Sequence, residues 1–515
     1  MGYFKNASPE AVGISSEGII NFLKDVERTG LELHRMMILR HGVCCAKITW
    51  APYDENNMHP LYSFSKSLTA TAIGFAWQEG ILSLDEKIAD IFPEDLPENP
   101  SENLKACTIH HLLCMSCGHE TEIGGLEADW RKSFLAHPFL HEPGTFYKYN
   151  TAGTNMLSAI IRKKTGQQVT EYLRSRLFDP LGMGEVYCYR LPDDMETEHG
   201  GGGMKMTLED MAKFTQFMLQ DGCWEGKQLL KGWYHAQAGV KQMETDGDSE
   251  GHVKEWANGY GYQCWMGSLP GSFRADGAFG QFGLVYPSLD LCIITSSATE
   301  QTQTMIDAVN EYLLPAVDPL ADTVSEERGE AFCRRFSIPV LTGCRNPLFE
   351  EKLNHSVYVP LREGESISGI KRLVGGAGLL GVSDDDEITG IRFSFERDQV
   401  ILHLTENGVE KDLTAGLDHR FAFTVIDDIC YAAAARWRSL RKLELEIRRM
   451  DAMSGVRLIL KFEEEQLQFE ADETLMTDGG LGMLEKRLTV FRQVADLDGI
   501  VIEKTGNNPG VEKEK

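Results

Sequence analysis

The sequence predicts an α/β fold over residues 1–320, an antiparallel sheet flanked by helices with an all-helical subdomain inserted into it. A separate antiparallel β domain follows, over residues 345–505. Three observations support this. A helix and two strand patterns come first, a long helical stretch follows, and strand patterns with a closing helix return before residue 320. Past about residue 345 the apolar pattern changes to period two. The length, 515 residues, asks for more than one core.

Residues 15–28 open on Ser15 or Ser16 and carry Ile19, Ile20, Phe22, Leu23 and Val26 on one stripe, which predicts an amphipathic helix. Met36–Leu39 and Val43–Trp50, around His41-Gly42, predict a β-hairpin. From Ser63 to about Val240 helical patterns dominate, broken by Pro93, Pro97, Pro100 and Pro143-Gly144. Gly200–Gly203 ahead of Thr207 predicts a flexible joint leading into a capped helix. Strand patterns return at Gly259–Met266, Ser272–Ala275, Phe282–Tyr286 and Leu291–Ser296, and a helix over Gln301–Leu314 stops at Pro315. An α/β lobe of about residues 1–62 and 241–320 thus brackets a helical lobe of about 63–240. Further on, Ile391, Phe393 and Phe395 alternate with polar residues, as do Leu443, Leu445 and Ile447, then Val456, Leu458, Leu460 and Phe462, then Leu467 and Phe469. These predict half-buried antiparallel strands of a sandwich or barrel, turning at Ser454-Gly455 and at Glu463–Gln466. Gly506–Lys515 is expected to fray.

The formal charge, 51 − 78 = −27, argues against nucleic acid and anionic membrane as partners, since both reward positive fields. No apolar run reaches the roughly 18–20 residues of a membrane span. The nearest, Leu68 to Leu84, is interrupted by Gln78, Glu79 and Gly80. The N-terminal residues lack the basic-then-apolar layout of a secretory signal, so a cytoplasmic location is expected, with the 12 cysteines reduced and mostly buried.

Chemistry concentrates in Ser63-Phe64-Ser65-Lys66. Ser-x-x-Lys occurs twice more, at Ser368–Lys371 and Ser439–Lys442, so the motif is weak by itself. Only the first opens an apolar helix, where positions i and i+3 share a face and the Lys66 amine reaches the Ser63 hydroxyl. A serine attacks only beside a base, and a lysine is a base near neutral pH only when burial or a positive field depresses its pKa. The bland alternative is a capping serine with a snorkelling lysine. Pro143–Thr151 precedes a helix predicted over Asn155–Lys164, and a tyrosine there could relay a proton. Asp276-Gly277-Ala278-Phe279-Gly280-Gln281 joins two strand patterns, where a backbone N–H could stabilise an oxyanion. His110-His111-x-x-Cys114-x-x-Cys117-x-His119 offers zinc-type ligands, but a helix spreads them in different directions, and no metal or cofactor is expected.

In this order the motifs resemble the serine β-lactamase and penicillin-binding-protein superfamily, in its class C-like and esterase-like branch, over about residues 8–316. The resemblance rests on Ser8-Pro9-Glu10-x-x-Gly13-Ile14, Ser63-x-x-Lys66, Leu84–Ile88, Thr108–Leu113, Pro143-Gly144-Thr145 and Gly280-Gln281 before Pro287. It implies a β-lactamase-like fold with the active site between an α/β and an all-α lobe. It also implies acylation of Ser63, with Lys66 as general base, Tyr149 as proton relay, and an oxyanion held by the N–H groups of Ser63 and Ala278. Asp276, Gly277, Asn150 and Gln281 are the further positions it implies for substrate. Two departures stand out. The family Tyr-x-Asn becomes Tyr149-Asn150-Thr151, which displaces the asparagine by one position, and the Lys-Thr-Gly or His-x-Gly becomes Ala275-Asp276-Gly277, without the cation that receives a β-lactam carboxylate and with an acid, Asp276, that would repel it. The second favours a small-molecule ester or amide with a neutral or cationic group, as in the branch's esterases and aminohexanoate-oligomer amidases, over a β-lactam or D-peptide. A catalytically inactive homologue serving as sensor or scaffold is the alternative.

Overall fold

The computed structural model describes residues 3–123, 127–245, 254–321, 323–325, 329–361, 367–375, 386–453, 455–472 and 488–494. The chain divides into two compact units, Met1–Phe336 and Ser337–Lys515.

In the first unit, helix α1 (Ser16–Thr29) precedes strands β1 (Leu33–Arg40) and β2 (Val43–Ala51). Helix α2 (Ser65–Gln78) follows, then α3 (Thr151–Thr165) and α4 (Leu208–Leu219) with shorter helices between them. The sheet resumes with β3 (Trp265–Met266), β4 (Phe273–Gly277), β5 (Gln281–Tyr286) and β6 (Leu291–Ser297), and α5 (Thr302–Ala308) closes the unit. The order across the sheet is β2-β1-β6-β5-β4-β3, with Phe332–Ser337 on the outer edge of β2. All pairings from β2 to β3 are antiparallel, with Met37 opposite Lys47 and Ile294, and Gly283 opposite Ala275 and Ile294. So β6, the last long strand, lies between the hairpin of the first two and the rest. Every residue of β1, β5 and β6 is buried, the signature of a sheet covered on both faces. Helix α4 packs against β1, β5 and β6, while α1 packs against α5 and the turn after it.

Boundaries moved where backbone geometry overrode pattern. The strand expected over Gly259–Met266 shrinks to β3, because Gly259 (φ 108°) and Gln263 (φ 56°) leave the extended region. The closing helix opens into a wider turn over Val309–Leu313 and a 3₁₀ turn at Leu314–Ala316. Helix α3 starts at Thr151, four residues before the apolar pattern that predicts it, because Asn150 caps it. His59–Pro60, just ahead of the helical stretch, pairs with Met204–Met206 and through it with Tyr187–Cys188 in a small ribbon that leads the chain into Ser63.

The second unit is a closed β-barrel. The ring closes where Val357–Pro360 pairs with Leu488–Val494 on one side and Glu387–Phe395 on the other. Ile391, Phe393, Leu443, Leu445, Ile447, Val456, Leu458, Leu460, Phe462, Leu467 and Phe469 fill it, as their alternation predicts. The charged residues between them are less exposed than expected: Glu444 and Glu446 are buried, paired with Arg436 and Arg448 at 2.7 Å each. Ser439 and Lys442, from one rejected Ser-x-x-Lys, are cross-strand partners in a hairpin. Ser454, half of one expected turn, lies outside the described residues, as does the tail Gly506–Lys515.

Candidate active site

Helix α2 is apolar nearly all round and is buried from Ser65 to Ala76, so it is a central strut of the first unit. Ser63 lies in the 3₁₀ turn Tyr62–Phe64 at its N-terminus, half-buried, where helical N–H groups favour negative charge. One turn on, Lys66 is 1% exposed. Its Nζ lies 2.9 Å from Ser63 Oγ and 3.3 Å from Thr151 Oγ1, and donates to the Gly201 carbonyl. Burial pushes its pKa down to about 7, against the opposing pull of the Glu122 and Asp276 carboxylates. Thus an amine that is normally a cation is poised to be a base beside a hydroxyl.

Tyr149 closes another side. Its ring centroid is 4.9 Å from Lys66 Nζ, and the ring stacks on Trp265 at 5.8 Å. Tyr147, the other tyrosine of the segment, is buried behind it against Tyr260. Asn150 turns away: its Oδ1 accepts from Gly153 N at 3.1 Å to cap α3, and its Nδ2 meets His119 Nδ1 at 3.2 Å. Thr151, two residues after Tyr149, makes the contact with Lys66 instead.

Ala278 is exposed in the turn between β4 and β5. A Cβ on Gly277 would lie 2.1 Å from the Leu61 carbonyl oxygen, so this turn presses directly on the one that carries Ser63. Phe279 and Tyr62, which flank Ala278 and Ser63, both have positive φ (65° and 47°), and their rings meet edge to face at 5.4 Å. Left-handed backbone at two non-glycine residues beside one point is strain of the kind that collects at functional sites. Gln281 does not face this point. Its Nε2 donates to the carbonyls of Ala278 (3.2 Å) and Ser297 (2.6 Å), tying the turn to β6. Asp276 accepts from Arg274 Nε at 2.8 Å, which offsets part of its charge.

Sequence reasoning missed the part played by Gly200–Gly203. The run is packed, not a loose joint: a Cβ on Gly200 would lie 2.0 Å from Ser158 Oγ, and one on Gly201 2.7 Å from Thr151 Cγ2. The rival metal ligands disperse. His110 bonds Tyr262 (2.7 Å), His111 accepts from Thr108 N (3.0 Å), Cys114 bonds Ser116 (3.1 Å), and His119 meets Asn150. Among the described residues, the one group spaced to share an ion is His403, Glu410 and Asp412, in the second unit.

The family model named Beta-lactamase matches residues 38–316, more than half of the chain and the whole of this constellation. The chain belongs to the beta-lactamase family. Among curated family relatives, 6-aminohexanoate-dimer hydrolase of Paenarthrobacter ureafaciens is 24% identical, covering 57% of this chain and 80% of its own length. Penicillin-binding protein 4* of Bacillus subtilis is 24% identical over 33% of this chain, which spans about half (47%) of that relative. Lovastatin esterase of Penicillium rubens is 26% identical over 32% of this chain and 51% of its own. Of solved structures, a putative beta-lactamase from Bacteroides dorei superposes with TM-score 0.48 at 14% identity, over 58% of this chain and 99% of its own. No helix among the described residues of this family member is long and apolar enough to cross a membrane.

Proposed function

We propose that this protein is a serine hydrolase that cleaves an ester or amide through an acyl-enzyme at Ser63. The observation that carries this is the buried, weakly basic Lys66 amine 2.9 Å from Ser63 Oγ. Lys66 takes the hydroxyl proton as Ser63 Oγ bonds the substrate carbonyl carbon. The oxyanion that forms accepts from the N–H groups of Ser63 and Ala278. Collapse breaks the carbonyl bond to the leaving alcohol or amine, which takes the proton from Lys66 by way of Tyr149. Water, deprotonated by the same amine, then hydrolyses the acyl ester and restores Ser63.

Glu122 and Asp276 both face Lys66 and bias the surroundings towards negative charge, which favours substrates whose nearby group is neutral or cationic. Two relatives are named a hydrolase and an esterase, which supports hydrolysis. The test is labelling by a fluorophosphonate read by intact mass. One adduct at Ser63, lost in Ser63→Ala, is expected. An adduct that survives Ser63→Ala, or no turnover of any activated ester or amide, overturns the proposal.

A further inference from the structure

Lys66 is held from a direction that the Ser-x-x-Lys motif does not specify. Asn155 lies one turn along α3 from Thr151, on the same face, and is 1% exposed. Its Oδ1 accepts two hydrogen bonds, from Gly201 N at 3.0 Å and from His199 Nδ1 at 2.9 Å. Gly201 in turn offers its carbonyl to Lys66 Nζ. On the other side Thr69 Oγ1, from α2, donates to the Gly200 carbonyl at 3.0 Å. The glycine segment is therefore stapled to both central helices, and its lack of side chains lets it lie flat between them.

A neutral amine has two hydrogens and one lone pair. A carbonyl oxygen can only accept, so the bond to Gly201 commits one hydrogen, and Thr151 Oγ1 can take the other. The lone pair is then left for the third neighbour, the Ser63 hydroxyl, which can only help if it donates. Remove the Gly201 carbonyl from its place, and the amine is free to donate to Ser63 Oγ, the wrong direction for a base.

We infer that Asn155 is a positioning residue of this site, acting through the Gly201 carbonyl to aim the Lys66 lone pair at Ser63. His199 completes the clamp: buried, its pKa pushed down to about 3 by burial and by Lys66, it stays neutral and donates from Nδ1. Among the described residues, the charged and titratable groups that face Lys66 are Glu122 and Asp276, with the Tyr149 ring and neutral His199 beside them. None of these reproduces the directional bond from Gly201.

The inference rests on the serine-hydrolase proposal, and the experiment separates the two. Single-turnover acylation of the full chain by an activated ester is followed from pH 5 to 10, for wild type, Asn155→Leu and Asn155→Asp. Asn155→Leu removes the acceptor, so the acylation rate falls about 10–100-fold while KM stays within about twofold. Asn155→Asp keeps the acceptor and adds a negative charge near Lys66. It retains most of the rate at alkaline pH, with the acid limb displaced upward. Wild-type acylation rate and pH profile in Asn155→Leu overturn the inference. Should Asn155→Leu fail to fold, an acid limb unmoved in Asn155→Asp overturns it equally. Failure of the wild-type chain itself to acylate at Ser63 refutes the hydrolase proposal instead.

Discussion

Lys66 is where physical chemistry speaks most directly. In the proposed mechanism its neutral form is the base, so acylation should be flat above about pH 7 and fall about tenfold per unit below it, as the amine of pKa about 7 takes up its proton. Acylation rates across pH measure this; an acid limb near pH 9 or above would mean an ordinary solvated lysine. The same shift has a cost in stability. The unfolded chain, with a normal lysine, binds more protons than the folded one between about pH 7 and 10.5, so this residue's penalty is complete below pH 7 and fades as pH rises. Lys66→Met should abolish acylation yet raise the thermal midpoint, by more at pH 6 than at pH 10. Thr151→Val deletes one hydrogen-bond partner of the amine and should slow acylation about tenfold at unchanged KM.

At the scale of elements, the decisive feature is the apposition of two turns. The turn at the head of α2 carries Ser63, and the β4–β5 turn carries Ala278; they touch because Gly277 has no Cβ to hold them apart. Gly277→Ala places a methyl against the Leu61 carbonyl and should drive the turns apart, costing about 100-fold in kcat with a smaller change in KM. Steady-state kinetics decide this, and wild-type kcat in that variant would detach Ala278 from the oxyanion role. Pairing α2 with α3 brings Lys66, Tyr149 and Thr151 together from positions 85 residues apart in Thr151 and Lys66. The cap explains why Asn150 is not among them: a helix N-cap spends its side chain on the backbone N–H groups of the first turn.

At the scale of the whole molecule, each unit has its own apolar core, one spanning the sheet and helices and the other filling the barrel. Leu445, fully buried in the barrel, should cost about 2–5 kcal/mol on substitution by alanine, seen as a lower midpoint for the barrel's transition in calorimetry. Labelling of Ser63 at temperatures below that transition should keep its wild-type rate. How much of this could be seen in the chain itself depends on the range of the interaction. Ser63 and Lys66 were legible because three residues along a helix make one face, a local fact. The first and last strands of the sheet and the alternation of the barrel strands were legible for the same reason, since period and turn residues act over a few positions. Gly200–Gly203 was misjudged because glycine serves both mobility and close approach, and only its neighbours Thr69, Thr151, Asn155 and Ser158 say which. Closure of the barrel was equally out of reach, since Val357–Pro360 meets Leu488–Val494 across more than a hundred residues and no local pattern encodes that pairing. The amino-acid order alone determined most of the elements and the closeness of Ser63 and Lys66; the packing of distant backbone around that amine decided its lowered pKa and its hydrogen bonds, because desolvation and hydrogen-bond direction belong to neighbours in space.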